Sequence, residues 1–440
     1  MRYLNVFLFE FHHFRKNISK VITYLIFVLA CVYSIYNGFN LYNKQINTIS
    51  HIENEQKNEI NKVLGWFDND LTQQKVDWAF KYIPLYTIKN PSPLLPLGIG
   101  QAEQYSYYKE IGKWSSTFDA DMMEEISNPE RLVNGSIDFS FLIIFLLPIL
   151  LIILTYNIGG LEKDLIFDKL ITIQSSSFYK WVLFRFIFYL FLLLLTVIFL
   201  IISVVLINDV QSLFNKSIYD LIFLSFLYIL FFSIIFYFVI IYSESTSSIA
   251  FKMISIWLLF CVILPGSVHQ YASLKHPTNY MTDFLDANRN DFYELVSLPA
   301  EDIYIKLNNI YPSLETTLYG LQVQKNNGEL NDESYNALRQ TISAIANEMN
   351  KAAIADIEGQ NNVKNEFVKS TYWFNPISYF LNKWNAYTLT DYNSYYKYRQ
   401  NIQAYIDVKL RLMVYETWNQ NKVNKSVYEN YLKQLDINYK

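Results

Sequence analysis

The chain has only two cysteines in 440 residues, Cys31 and Cys261, and both fall inside long apolar runs. So placed, they fit neither a disulfide framework nor a thiolate metal cage; they are expected to be small packing residues, and the polar stretches must be held together by burial alone. Charge is also scarce, at 17% Asp, Glu, Lys and Arg, and the net charge of −4 gives no reason to propose a nucleic-acid partner. No GxGxxG or GxxxxGK[ST] sequence occurs, so the chain is not expected to bind a nucleotide cofactor or to hydrolyse ATP itself. No apolar run carries the paired acids or histidines that intramembrane catalysis requires, so no catalytic or metal-binding residues are assigned.

What the chain has instead is apolar side chains, 52% of the total, concentrated in five runs. The sequence predicts transmembrane helices at 21–42, 138–157, 181–207, 221–242 and 247–265, each long enough at about 1.5 Å per residue to cross a hydrocarbon core of about 30 Å. Lys252 is kept inside the fifth, because a run starting after it would be too short to span. Arg185 and Lys252 lie about one turn from span ends, where a long side chain can snorkel to water, so neither calls for a functional explanation.

Before the first span, Leu4, Phe7, Leu8, Phe11, Phe14 and Ile18 recur at helical spacing, which predicts an amphipathic interfacial helix over 1–20. His12 and His13 within it point about 100° apart and have no further ligand nearby, so they are not a metal site. Arg2, Arg15, Lys16 and Lys20 precede the span against the single acid Glu10, which predicts a cytoplasmic amino terminus. The long stretches 43–137 and 266–440 then form two outer, mainly helical domains. The shorter connections are a cytoplasmic loop at 158–180, an outer loop at 208–220 and a cytoplasmic turn at 243–246.

The first outer stretch starts as a helix, Ile46 to Phe67, and contains Asn90-Pro91-Ser92-Pro93-Leu94-Leu95-Pro96 followed by Gly98-Ile99-Gly100, which fits a structural turn. It returns to the membrane through Asn128-Pro129-Glu130-Arg131-Leu132. In the second stretch, Tyr335–Ile357 and Tyr395–Trp418 keep helical spacing, with a break at Asn375-Pro376. The cluster Tyr372, Trp373, Phe374, Tyr379, Phe380 and Trp384 suits packing between the outer domains, a hydrophobic substrate or the lipid headgroup region. The 158–180 loop predicts a short charged and apolar helix beside the membrane, a shape that docks in a partner's groove.

An interfacial helix, one span, an outer domain, and a second span ending in Glu162-Lys163-Asp164 and running into a helix closed by Ser175-Ser176 resemble the permease subunit of type-2 ABC transporters. Pro91-Ser92-Pro93-Leu94, Gly98-Ile99-Gly100, Gly135-Ser136-Ile137-Asp138-Phe139, Pro148, and Asn375-Pro376 with Thr388-Leu389-Thr390-Asp391 are similar to a bacterial subfamily with a large second periplasmic domain of unassigned function. The resemblance implies a multi-pass protein of the bacterial inner membrane, with the bulk of its polar sequence periplasmic. It would work in export or envelope processes, be surrounded by membrane lipid, and pair as a homodimer or with a sister permease. ATP hydrolysis would belong to a separate ABC ATPase subunit docked at Glu162, Lys163, Asp164, Asp168 and Lys169. Two departures stand out: Ile166-Phe167 occupy the place of the family's Gly-Thr, and the sequence after the fifth span is polar through Lys440 where the family has a sixth span. A membrane scaffold or sensor that moves no substrate is the alternative expectation.

Overall fold

A computed structural model describes residues 3–69, 73–119, 121, 137–175, 177–208, 216–277, 289–290 and 292–437. The return segment Asn128–Leu132, Gly135-Ser136, Arg2, Ser176, most of the 208–220 loop and Asn438–Lys440 lie outside the described residues. Helix α1 covers Tyr3–Lys16, and α2 runs unbroken from Ile18 to Asn69. The predicted first span and the predicted helix Ile46–Phe67 are therefore one rod. No proline interrupts it, and its glycines, Gly38 and Gly65, are isolated residues that a helix tolerates.

Among the described residues, five helices are long and apolar enough to cross a membrane: Ile18–Asp68, Phe139–Asp164, Phe178–Asn208, Lys216–Tyr242 and Thr246–Lys275. They agree with an all-α, multi-pass membrane protein. The second contains α3 (Leu147–Thr155) and ends in α4 (Gly160–Asp164); α5 (Asp168–Ser175) follows, and the third and fourth are α6 (Phe178–Asn208) and α7 (Lys216–Tyr242). The fifth consists of α8 (Thr246–Leu258) and α9 (Leu264–Lys275), so it includes Lys252 and continues past the predicted end at 265.

Two prolines sit inside these helices without ending them. A π-helical turn, Leu142–Leu146, precedes Pro148, and a second, Leu259–Ile263, precedes Pro265. A proline removes the bond to the carbonyl four residues back and crowds it, so that carbonyl needs another donor. For Pro148 that carbonyl is Ile144's, and the Tyr228 hydroxyl of α7 donates to it. The neighbouring carbonyl of Phe145 accepts from Trp257 Nε1 at 2.9 Å.

The two long polar stretches, predicted as two domains, share one core. Val63, Phe80, Leu85 and Ile111 from the first pack with Leu307, Leu338, Ile406 and Trp418 from the second. Strand β1 (Gln74–Lys75) pairs antiparallel with β4 (Lys422–Val423), and a second ribbon joins β2 (Tyr86–Ile88) to β3 (Tyr108–Glu110). Helical periodicity says which face of a helix is buried but not against what, so this merger is a tertiary result. The body is built on α10 (Asp332–Ser370), α12 (Tyr392–Trp418) and α13 (Lys425–Gln434), while α11 (Pro376–Tyr387), between the first two in sequence, packs on the apolar helices. Side chains of Asn331, Asn375, Asp391 and Asn424 cap their amino ends, satisfying donors that each first turn leaves free.

The proline–glycine turn joins this body to the apolar helices. Trp384 Nε1 donates to the Leu97 carbonyl at 2.7 Å, Thr390 Oγ1 to that of Gly98 at 3.0 Å, and the Ile99 amide to Asp138 Oδ1 at 3.1 Å. Gly100 has φ +50°, and a Cβ there would lie 2.6 Å from Thr390 Oγ1. Gly38 of α2 is equally constrained, since a Cβ would come within 2.5 Å of Pro96 Cα. The turn reading of Gly98-Ile99-Gly100 is correct, and short motifs far apart in sequence meet at this one joint.

Candidate functional site

At the opposite end of the bundle, α1, α4, α5 and the ends of the apolar helices meet. The centre of this site is Arg185 of α6, only 4% exposed. Its Nε donates to Glu10 Oε2 at 2.5 Å and its Nη1 to Glu162 Oε1 at 2.6 Å. Glu10 is fully buried and also accepts from the Tyr189 hydroxyl at 2.7 Å. Lys20 donates to that hydroxyl at 3.2 Å, to Asn157 Oδ1 at 2.9 Å and to the Leu154 carbonyl at 2.5 Å.

This arrangement corrects the snorkelling expectation for Arg185. Its side chain turns inward because two carboxylates from different elements meet it there, and a buried charge is tolerated when paired and hydrogen-bonded. Lys252 is exposed and donates to Ser243 Oγ at 3.1 Å, as a snorkelling residue can. Helix α1 also departs from a free interfacial helix: Phe7 and Phe14 pack edgewise or tilted on Phe188 of α6, at ring distances of 5.0 and 6.2 Å. Leu8, Phe9 and Phe11 on its remaining surface are exposed.

The five residues assigned from sequence divide into two groups. Glu162, Lys163 and Asp164 are occupied inside the chain. Beyond the Arg185–Glu162 pair, Lys163 Nζ donates to the carbonyls of Ile240, Ile241 and Ser243 at 3.1, 2.9 and 2.6 Å, closing the carboxyl end of α7. Asp164 accepts from the Thr246 amide at 3.2 Å, at the amino end of α8. Each sign of charge matches the helix end it meets, since carboxyl ends favour cations and amino ends favour anions. Asp168 is half-buried and Lys169 exposed, both at the start of α5.

Several exposed side chains of the loop are apolar. Leu165, Ile166, Phe167, Leu170 and Ile173 are 60, 71, 52, 54 and 81% exposed. Ile166 has φ +62°, the left-handed region that a β-branched residue rarely enters. The turn around it is closed by the Ile166 amide on the Lys163 carbonyl at 3.0 Å and the Phe167 amide on the Glu162 carbonyl at 2.7 Å. Glycine ordinarily fills such a position after a helix; here isoleucine carries strain of about 1–2 kcal/mol and presents an apolar side chain.

Tyr189 and Asn157 were not singled out from sequence, and Glu10 and Lys20 entered there only as charges that set the orientation of the first span. A lone acid inside an apolar helix, at Glu10, and a basic residue inside a span, at Arg185, were the available signals. Among the described residues, no group of three or more His, Cys, Asp or Glu side chains is placed to hold a metal ion. The polar body has a separate cleft of about 690 Å³ lined by Gln74, Asn336, Gln340, Gln420 and Asn421. Comparison with protein-family models, with curated proteins and with solved structures finds no match.

Proposed function

We propose that the chain is the membrane-spanning subunit of an ATP-driven transporter of the type-2 ABC permease kind, with its ATPase docking on α4 and α5. The observation that carries this reading is the pairing of an exposed apolar ridge, Leu165 to Ile173, with charged residues of the same segment fastened to three of the candidate spans. A partner seated on the ridge would push on α6, α7 and α8 together. Strain at Ile166 supports the same reading, because it falls where an apolar side chain faces outward. The α1 end is then cytoplasmic, the polar body is periplasmic, and a second permease copy or a sister subunit completes the assembly.

The test is copurification of an ATPase with the tagged full chain from its native membrane, together with ATP turnover. Replacing Phe167 and Ile173 by Asp should abolish both at unchanged expression and melting temperature, since these side chains have little to lose in the isolated chain. Glu162→Lys with Asp164→Lys is a poorer test, because it also breaks internal contacts. Retention of the ATPase by the ridge variant overturns the docking site. Absence of any ATPase from the wild-type preparation favours a scaffold that moves no substrate.

A further inference from the structure

The aromatic cluster around Asn375 is split by the fold. Ile377, Phe380 and Trp384 of α11 are buried in the same core as the apolar helices. Trp384 lies 6.1 Å from Phe139, the first residue of the second apolar helix, and Phe380 lies 4.9 Å from Tyr228. Tyr228 in turn donates to the carbonyl of Ile144, five residues, or about 7.5 Å of helix rise, beyond Phe139. Helix α11 therefore sits at the level of the first turns of the apolar helices, although it belongs in sequence to the polar body.

The turn that leads into α11 has the opposite burial. Trp373 is 84% exposed, with the Phe374 ring 4.9 Å away. Tyr379 is exposed on the same end of α11 and stacks edgewise on Tyr372 at 5.5 Å, while the Tyr372 hydroxyl accepts from Asn382 Nδ2 at 2.8 Å. The turn is flanked by the carboxyl end of α9, where Tyr271 meets Phe367 at 5.5 Å. Leaving an indole in water at this level wastes apolar burial, whereas aromatic side chains with a polar edge are favoured where hydrocarbon gives way to headgroups. Interfacial helices bury their apolar face by about 5–10 Å at that boundary, and α11 presents Ile377, Phe380 and Trp384 to the apolar helices there.

We propose that Tyr372, Trp373, Phe374 and Tyr379 form a lipid-interface anchor that seats α11 and the foot of the polar body in the headgroup–acyl boundary. Helix α11 also packs beside the π-helical turn Leu259–Ile263 of the fifth helix, where Leu259, Val262 and Ile263 are exposed, so one bilayer leaflet would cover both. The anchor requires the apolar helices to span the bilayer and does not depend on what docks at the α1 end.

The test uses the full chain in phosphatidylcholine liposomes with a bimane fluorophore at Trp373→Cys, at Ile254→Cys in the fifth helix and at Tyr335→Cys in the polar body. The native cysteines are buried and give little background labelling. Lipid spin labels near the headgroup should quench bimane at 373 several-fold more than labels near the chain end, and aqueous iodide should quench it several-fold less than at 335. Iodide quenching at 373 equal to that at 335, without lipid quenching, overturns the anchor. Exclusion of both quenchers places a protein surface there and overturns it too. Failure of lipid labels to quench at 254 rejects the spanning assignment, and the anchor with it.

Discussion

Arg185 holds Glu10, 175 positions earlier in the sequence, with an Nε–Oε2 distance of 2.5 Å and both side chains buried. The pair fastens α1 to α6, and Glu162 extends it to α4. Removing one partner strands a buried charge, which costs about 3–5 kcal/mol, whereas removing both at matched volume is far milder. Arg185→Met should therefore lower stability by about 3–5 kcal/mol, and Glu10→Leu in the same chain should restore much of the loss. Denaturant unfolding of the variants in one detergent measures both. An Arg185→Met chain as stable as the parent would show that the pair contributes nothing.

Tyr228 and Pro148 form a second testable pair. Tyr228→Phe leaves the Ile144 carbonyl without its hydroxyl donor, for an expected loss of about 1–3 kcal/mol. Pro148→Ala added to that variant supplies an amide to the same carbonyl, so the double variant should recover stability. Equal melting temperatures for the single and double variants would refute the link.

In the polar body, Lys409 is buried on α12 and donates to the carbonyls of Ile83 and Ile111 at 3.3 and 2.6 Å. Burial pulls its ammonium down from 10.5 to about 8. Between about pH 8 and 10.5 the unfolded chain holds this proton and the folded chain does not, so stability rises with pH across that window, by up to roughly 1.4 kcal/mol per unit. Lys89, also held down to about 8 by burial, acts in the same sense. Buried tyrosines such as Tyr311 and Tyr392, raised to about 12, oppose both from about pH 10 upward. Denaturant unfolding from pH 7.5 to 10, on that basis, should show a rising stability that is shallower in Lys409→Met.

Ile166→Gly relieves a left-handed isoleucine and should stabilise the isolated chain by about 1 kcal/mol. The same change removes a side chain that is 71% exposed on the apolar ridge, so it should weaken the proposed ATPase contact. Opposite signs in unfolding and copurification support a role for the strain; loss of stability would show that the turn needs isoleucine for another reason.

The apolar helices were legible because an uncharged run of span length has few other stable states, and the break expected at Asn375-Pro376 is the start of a further helix, capped by Asn375 with φ fixed by Pro376. The helical character of the loop at 158–180 was legible, but not that Glu162, Lys163 and Asp164 in it bind within the chain. Sequence spacing could not show this, because Lys163 and Asp164 meet helix ends about 80 positions away. The union of the two polar stretches and the inward turn of Arg185 were hidden for the same reason. Their partners are distant in the chain and carry no local signal.

Helix α2, finally, is a stiff boom. Its 52 residues extend about 78 Å, of which about 40 Å lies beyond Tyr42. With Lys20 tied into the charged cluster at one end and Val63 in the core of the polar body at the other, it has no joint at which to absorb rotation. A tilt of about 10° would swing the tip near Asn69 by about 7 Å, so a small displacement at one membrane surface would become a stroke of side-chain size well beyond the other.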